Sequence, residues 1–148
     1  MVSQPPLKNP ALLPAAVLIA PVVWLVLYFI LQPDIDALWP VHHPDVFLWS
    51  VVFFPVVEEI IFRGLVQEFI RDFFSEKYLG LLSIANLVTS LLFAGLHVIL
   101  QPSAWAVLVF FPSLVFGLFK DRTGKLTIPI ILHAFYNFGF LWVFSSAV

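Results

Sequence analysis

The chain contains no cysteine, which excludes disulfide bridges, thiolate metal sites and a cysteine nucleophile together. Charge is nearly as scarce. Only 11% of residues are Asp, Glu, Lys or Arg, under half the share usual in a soluble globular domain. No stretch is hydrophilic enough for a second domain, so residues 1–148 read as a single integral-membrane domain. The net charge of −2 argues against a nucleic-acid partner. Neither H-E-x-x-H nor G-x-S-x-G occurs, so the usual zinc-protease and serine-hydrolase signatures are missing. Ser90 and Ser113 have no recognisable nucleophile setting. The loop 32–45 holds Asp34, Asp36 and Asp45 but no Lys or Arg.

What the chain has in quantity is apolar surface. It is 61% hydrophobic, with 17 Phe and 5 Trp, and this implies a lipid bilayer as its solvent. The pattern predicts an all-α fold, a polytopic membrane helix bundle of about five transmembrane helices, each near the ~20 residues a bilayer requires. The expected spans cover about 11–31, 46–65, 80–100, 104–119 and 126 to the C-terminus. The first is uncharged, too long for a signal-peptide core and preceded only by Lys8, so it reads as a retained anchor. The second is expected to continue through Gln67, Glu68, Arg71 and Asp72 as an amphipathic helix entering water. Gln101-Pro102-Ser103 ends the third, and Pro112 kinks the fourth. Lys8, Arg71, Lys77, Lys120, Arg122 and Lys125 all fall on one side if the N-terminus is cytoplasmic. That sets a multi-pass topology. Trp39 and Trp49 are expected as interface anchors beside a solvated pair, His42 and His43.

Against this background Glu58, Glu59 and Arg63 stand out, because they fall inside the second span. Each costs roughly 2.5–3.5 kcal/mol at the centre of a bilayer on insertion scales. On a helix Glu59 and Arg63 are four residues apart and share a face, whereas Glu58 points about 140° from Arg63. Two readings are open: a structural Glu–Arg bridge between helices, or a bridge that sets Glu58 apart as a general base. In the third span Asn86, Ser90, Phe93 and His97 lie within about 60° of one another. The fifth carries His133 and Asn137 at i,i+4. Each His is equally compatible with hydrogen-bonded helix packing. Together, one acid and two imidazoles on three helices suit hydrolysis. Glu would activate water, and His or Asn would stabilise an oxyanion. Zinc held by Glu and His is the alternative. Straight spans with these bounds put His97 roughly 10 Å from the level of Glu58, so the constellation requires the third span to tilt or shift.

The three motifs in order, Glu58-Glu59-x-x-x-Arg63, Phe93-x-x-x-His97 and His133-x-x-x-Asn137, resemble those of the CAAX-protease and bacteriocin-processing (Abi) superfamily. The resemblance covers about residues 50–140. It implies a glutamate-dependent intramembrane endopeptidase that needs no metal and acts on a membrane-anchored protein or peptide. On that pattern Glu58 is the water-activating base, Glu59 pairs with Arg63, His97 assists, and His133 with Asn137 forms the oxyanion-binding part. Phe93 supports His97. The small size resembles bacterial C-terminal sorting proteases of the myxosortase kind, which implies a bacterial inner membrane. The superfamily also includes immunity proteins, so a non-catalytic membrane partner or scaffold is the rival from another class. A proton-coupled carrier is a weaker one, since five short spans leave little room for an inverted repeat.

Overall fold

The computed structural model describes residues 10–74 and 77–145. Lys8 and the last residues of the expected fifth span lie outside them. The fold is all-α, as the hydropathy predicts, except for one two-residue hairpin. Helix α1 (Leu12–Leu31) is followed by two short turns of helix, α2 (Trp39–His42) and α3 (Pro44–Phe47). Helical segments then follow without a gap: a π-helix (Leu48–Phe53), α4 (Phe54–Glu59), a second π-helix (Ile60–Val66) and α5 (Gln67–Phe74). Strands β1 (Tyr78–Leu79) and β2 (Leu82–Ser83) pair antiparallel, and α6 (Ile84–Leu100), α7 (Ala104–Leu108), α8 (Phe110–Thr123) and α9 (Thr127–Phe144) complete the chain.

Two of these helices, α1 and α9, are long and apolar enough to cross a membrane, and α6 is a shorter apolar helix. The expected third span starts four residues late because Gly80 turns the chain instead of entering a helix. Its φ of 63° is one glycine adopts without strain, and Ser83 then caps α6 by accepting a hydrogen bond from the Asn86 amide. The fourth is broken at Val109 between α7 and α8, and α8 continues to Thr123, where Gly124 at φ 68° ends it.

The chain forms two compact units. The first, Val57–Ile130, packs α5, α6 and α8 around a polar seam. The second is built from residues up to Val56 together with Ile131 onward. There, small residues allow close approach: Ala16 and Ala20 on α1 are buried, and Gly139 on α9 lies against the indole of Trp24. The Tyr136 hydroxyl donates to the Ala16 carbonyl at 2.6 Å, so it fastens α9 to α1. Large apolar side chains on α1, including Leu18, Ile19, Phe29 and Ile30, face outward, which suits a lipid solvent. Trp49 also faces outward, but Trp39 is 4% exposed and is a core residue of this unit, not an interface anchor. Its ring meets Phe47 and His43 instead of water.

Candidate active site

The polar seam of the first unit starts at Arg63, which is fully buried with all three guanidinium nitrogens engaged. Nε donates to Glu59 Oε2 at 3.3 Å and Nη1 to Gln67 Oε1 at 3.4 Å. Nη2 donates to the Ser113 carbonyl at 3.0 Å and to its hydroxyl. The guanidinium also lies 5.8 Å from the centre of the Phe93 ring, within cation–π range. A rigid five-donor fork can meet these directions at once, where a lysine could not.

The seam continues one helical turn at a time. Gln67 Nε2 donates to the Gly117 carbonyl (3.2 Å) and to Asp121 Oδ1 (2.7 Å). Arg71 Nη2 donates to the same Oδ1 (3.0 Å), and Ser83 Oγ donates to Oδ2 (2.6 Å). Glu68 is shared by Arg71 (2.7 Å) and Lys120 (2.6 Å). Gln67 and Arg71 are therefore buried, not carried into water as the amphipathic pattern predicts. Gly117 has a packing role as well: a Cβ there would occupy the space of the Asn86 amide, which donates to the Leu114 carbonyl and accepts from Ser90.

These contacts fix direction. Partners run from Ser113 to Asp121 as the chain runs from Arg63 to Arg71, so α8 is parallel to that segment. Ser83 meets Asp121 while Asn86 meets Leu114, so α6 is antiparallel to both. Phe93 stacks edge-on against Phe62, with ring centres 4.9 Å apart. Glu59 lies one turn before Arg63, and His97 one turn after Phe93, each about 6 Å along its helix in the same direction. His97 is thus level with the Glu58–Glu59 pair, and the 10 Å offset implied by straight, uniform spans is removed. The hairpin, which starts α6 at Ile84 instead of residue 80, accounts for about 6 Å of that offset.

Within this unit Glu59, Arg63, Phe93 and His97 form one chain of contacts. The His97 ring is 4.3 Å from that of Phe93, and its Nδ1 lies 2.9 Å from the Phe93 carbonyl. A carbonyl only accepts, so Nδ1 carries the proton and Nε2 of the neutral ring is the acceptor. Glu58 and His97 are half-buried, whereas Glu59 and Arg63 are fully enclosed. His133 and Asn137 belong to the second unit. His133 is buried; Asn137 is half-buried and donates Nδ2 to the Ser50 carbonyl at 2.9 Å. Ser50 lies in a π-helical segment, where the widened turn frees carbonyls, and π segments recur at functional sites. Asn137 keeps a second amide N–H for another acceptor.

Gln67, Ser113, Gly117 and Asp121 are absent from the set the sequence nominates. The signal was present: Gln67 and Arg71 extend the step of four begun by Glu59 and Arg63, and Ser113, Gly117 and Asp121 repeat it on a second helix. Among the described residues no three His, Asp or Glu side chains stand together as a metal-binding group.

Residues 21–139 match the family described as Type II CAAX prenyl endopeptidase Rce1-like, and the chain belongs to that family. The two long apolar helices and the family match together make this a membrane protein, and its first unit encloses a buried Glu–Arg pair beside an oriented imidazole. The chain is also 31% identical over 93 residues to an Escherichia coli protein described as "Uncharacterized 24.3 kDa protein". That stretch is 61% of this chain and 41% of the relative, so the chain spans about two fifths of its length. No solved structure matches.

Proposed function

We propose that the chain is an intramembrane endopeptidase that hydrolyses a peptide bond of a membrane-associated substrate. The observation carrying this reading is the family match over 21–139, combined with the contact chain Glu59–Arg63–Phe93–His97. In the proposed reaction Glu58 takes a proton from water, which attacks the scissile carbonyl. His97 accepts from that water through Nε2, its tautomer held by the Phe93 carbonyl. His133 and the second N–H of Asn137 stabilise the oxyanion, and the proton returns to the leaving amine. Glu59 takes no part in proton transfer; it neutralises Arg63 and so holds the helix that carries Glu58.

The finer reading is a multi-pass protein of a bacterial inner membrane, N-terminus cytoplasmic, that trims C-terminal sorting tails of exported proteins. The charge asymmetry supports the topology. The reaction is proposed without a metal. Chelation that abolishes cleavage, with zinc restoring it, would replace Glu58-activated water by the zinc alternative.

The test compares protein N- and C-termini in cells carrying the native chain and cells carrying Glu58→Gln at matched expression. Termini that vanish in the variant are expected, and they also name the substrate. Identical termini, with any phenotype retained, would favour a non-catalytic immunity or scaffold role.

A further inference from the structure

The hairpin Tyr78–Ser83 is held at one end of the first unit by two successive residues of α8. Asp121 accepts from the Ser83 hydroxyl, and Arg122 Nη2 donates to the Leu81 carbonyl at 3.2 Å. The Ile84 amide closes the base on the Lys77 carbonyl at 2.8 Å. So pinned, the hairpin presents an oily tip: Leu79 and Leu81 are 68% and 61% exposed. Phe69 and Phe73, four apart on α5, are likewise among the most exposed large apolar residues of the unit.

Cations adjoin this apolar edge. Arg71 and Lys120 are matched by Glu68 and Asp121. Lys77, Arg122 and Lys125 have no carboxylate partner among the described residues, although the exposed Asp72 lies on the preceding helix. Arg122 adds an independent observation. Its Nε–H is buried with no hydrogen-bond acceptor, an arrangement that is costly unless an acceptor is bound there. Among the described residues the second unit contains Asp34, Asp36 and Asp45 but no Lys or Arg.

We infer that the hairpin and the adjacent end of α8 form a docking surface for anionic phospholipid. The tip leucines enter the acyl boundary, and Lys77, Arg122 and Lys125 hold a headgroup phosphate. Arg122 contributes its guanidinium charge at the base of the hairpin while Nη2 stays on Leu81. The inference goes beyond peptide hydrolysis and stands if that reading fails.

The full chain, purified in mild detergent, is titrated with short-chain phosphatidylglycerol and phosphatidylcholine and read by native mass spectrometry. Phosphatidylglycerol is expected to bind more tightly, with the preference falling about fivefold for each cation removed. Lys77→Gln/Lys125→Gln, both at exposed positions, then loses roughly twenty-fivefold. Arg122→Gln, which removes one cation, loses at least fivefold, and Arg122→Lys recovers part of it. The Lys pair keeps the test valid if the Arg122 variants unsettle the hairpin. Equal binding of the two lipids, or a preference unchanged in the Lys pair, overturns the proposal. So does full displacement by millimolar inorganic phosphate, which would make this a site for free phosphate.

Discussion

Asp121 is where the polar seam is most exposed to a single substitution. Its carboxylate, 1% exposed, accepts from Gln67, Arg71 and Ser83, which lie on two other elements. Asp121→Ala does not orphan all three donors: Gln67 keeps the Gly117 carbonyl, and Arg71 keeps Glu68. The loss is one buried charge pair, one hydrogen bond from Gln67 to the carboxylate and the Ser83 hydroxyl left without an acceptor. Breaking a buried pair costs about 3–5 kcal/mol; the retained Glu68 contact puts the expectation at the lower end, about 3 kcal/mol. Asp121→Asn keeps an oxygen for Gln67 and Arg71, and its new N–H₂ can donate to Ser83 Oγ. It loses chiefly the charge, about 1–2 kcal/mol. Asp72→Ala, at an exposed position on the same end, should stay within about 0.5 kcal/mol of the native chain. Equilibrium unfolding in mixed micelles gives the ranking. Asp121→Ala within 1 kcal/mol of Asp72→Ala, or Asp121→Asn costing more than Asp121→Ala, would refute the seam as an energetic element.

The remaining expectations use other contacts. Gly139→Ala places a methyl in the Trp24 ring and should cost about 1–3 kcal/mol by overpacking. Gly95→Ala meets nothing within 4 Å and should be neutral or stabilise the helix by about 0.5–1 kcal/mol, so thermal melts of the two variants should move oppositely. Phe93→Ala removes the ring shared by Phe62, Arg63 and His97 and should cost about 3–5 kcal/mol, while Phe93→Leu should cost distinctly less in the same melts. At the acidic loop the His42 ring accompanies Asp36 at 2.6 Å and holds its carboxyl below the usual carboxylate range. A carboxyl lowered on folding stabilises the fold above its unfolded pKa, and that contribution disappears as pH falls through the lower folded value. His42→Ala should therefore raise the Asp36 midpoint, followed by NMR titration; an unchanged midpoint would contradict the contact.

The one-turn relations were legible in the sequence because helical geometry alone places residues four apart on one face. Glu59 with Arg63, Asn86 with Ser90 and Phe93 with His97 are all found in contact. What hydropathy hid was whatever interrupts a helix without becoming polar. Residues 80–83 read as the start of an apolar span, although Gly80 and Ser83 were the turn and cap signals within it. The π segments on either side of α4 leave no compositional mark, since they are set by packing and not by residue type. Gln67 and Arg71 looked like a solvated face because their partners Gly117 and Asp121 lie about fifty residues away. Trp39 was misjudged for a similar reason: an indole beside prolines in a loop resembles an interface anchor until Phe47 covers it.

The division of labour between the two adjacent glutamates is the central claim, and paired variants test it most directly. Glu59→Gln keeps an amide oxygen for Arg63 Nε but leaves the enclosed guanidinium without its counter-charge, and should cost about 3–5 kcal/mol of stability. Glu58→Gln, at a half-buried position, should melt within about 1 kcal/mol of the native chain. Unfolding and cellular protein termini are measured on both variants at matched expression. The account predicts lost cleavage with an intact fold for Glu58→Gln, and a weakened fold for Glu59→Gln. Full cleavage by a well-folded Glu58→Gln chain would contradict it.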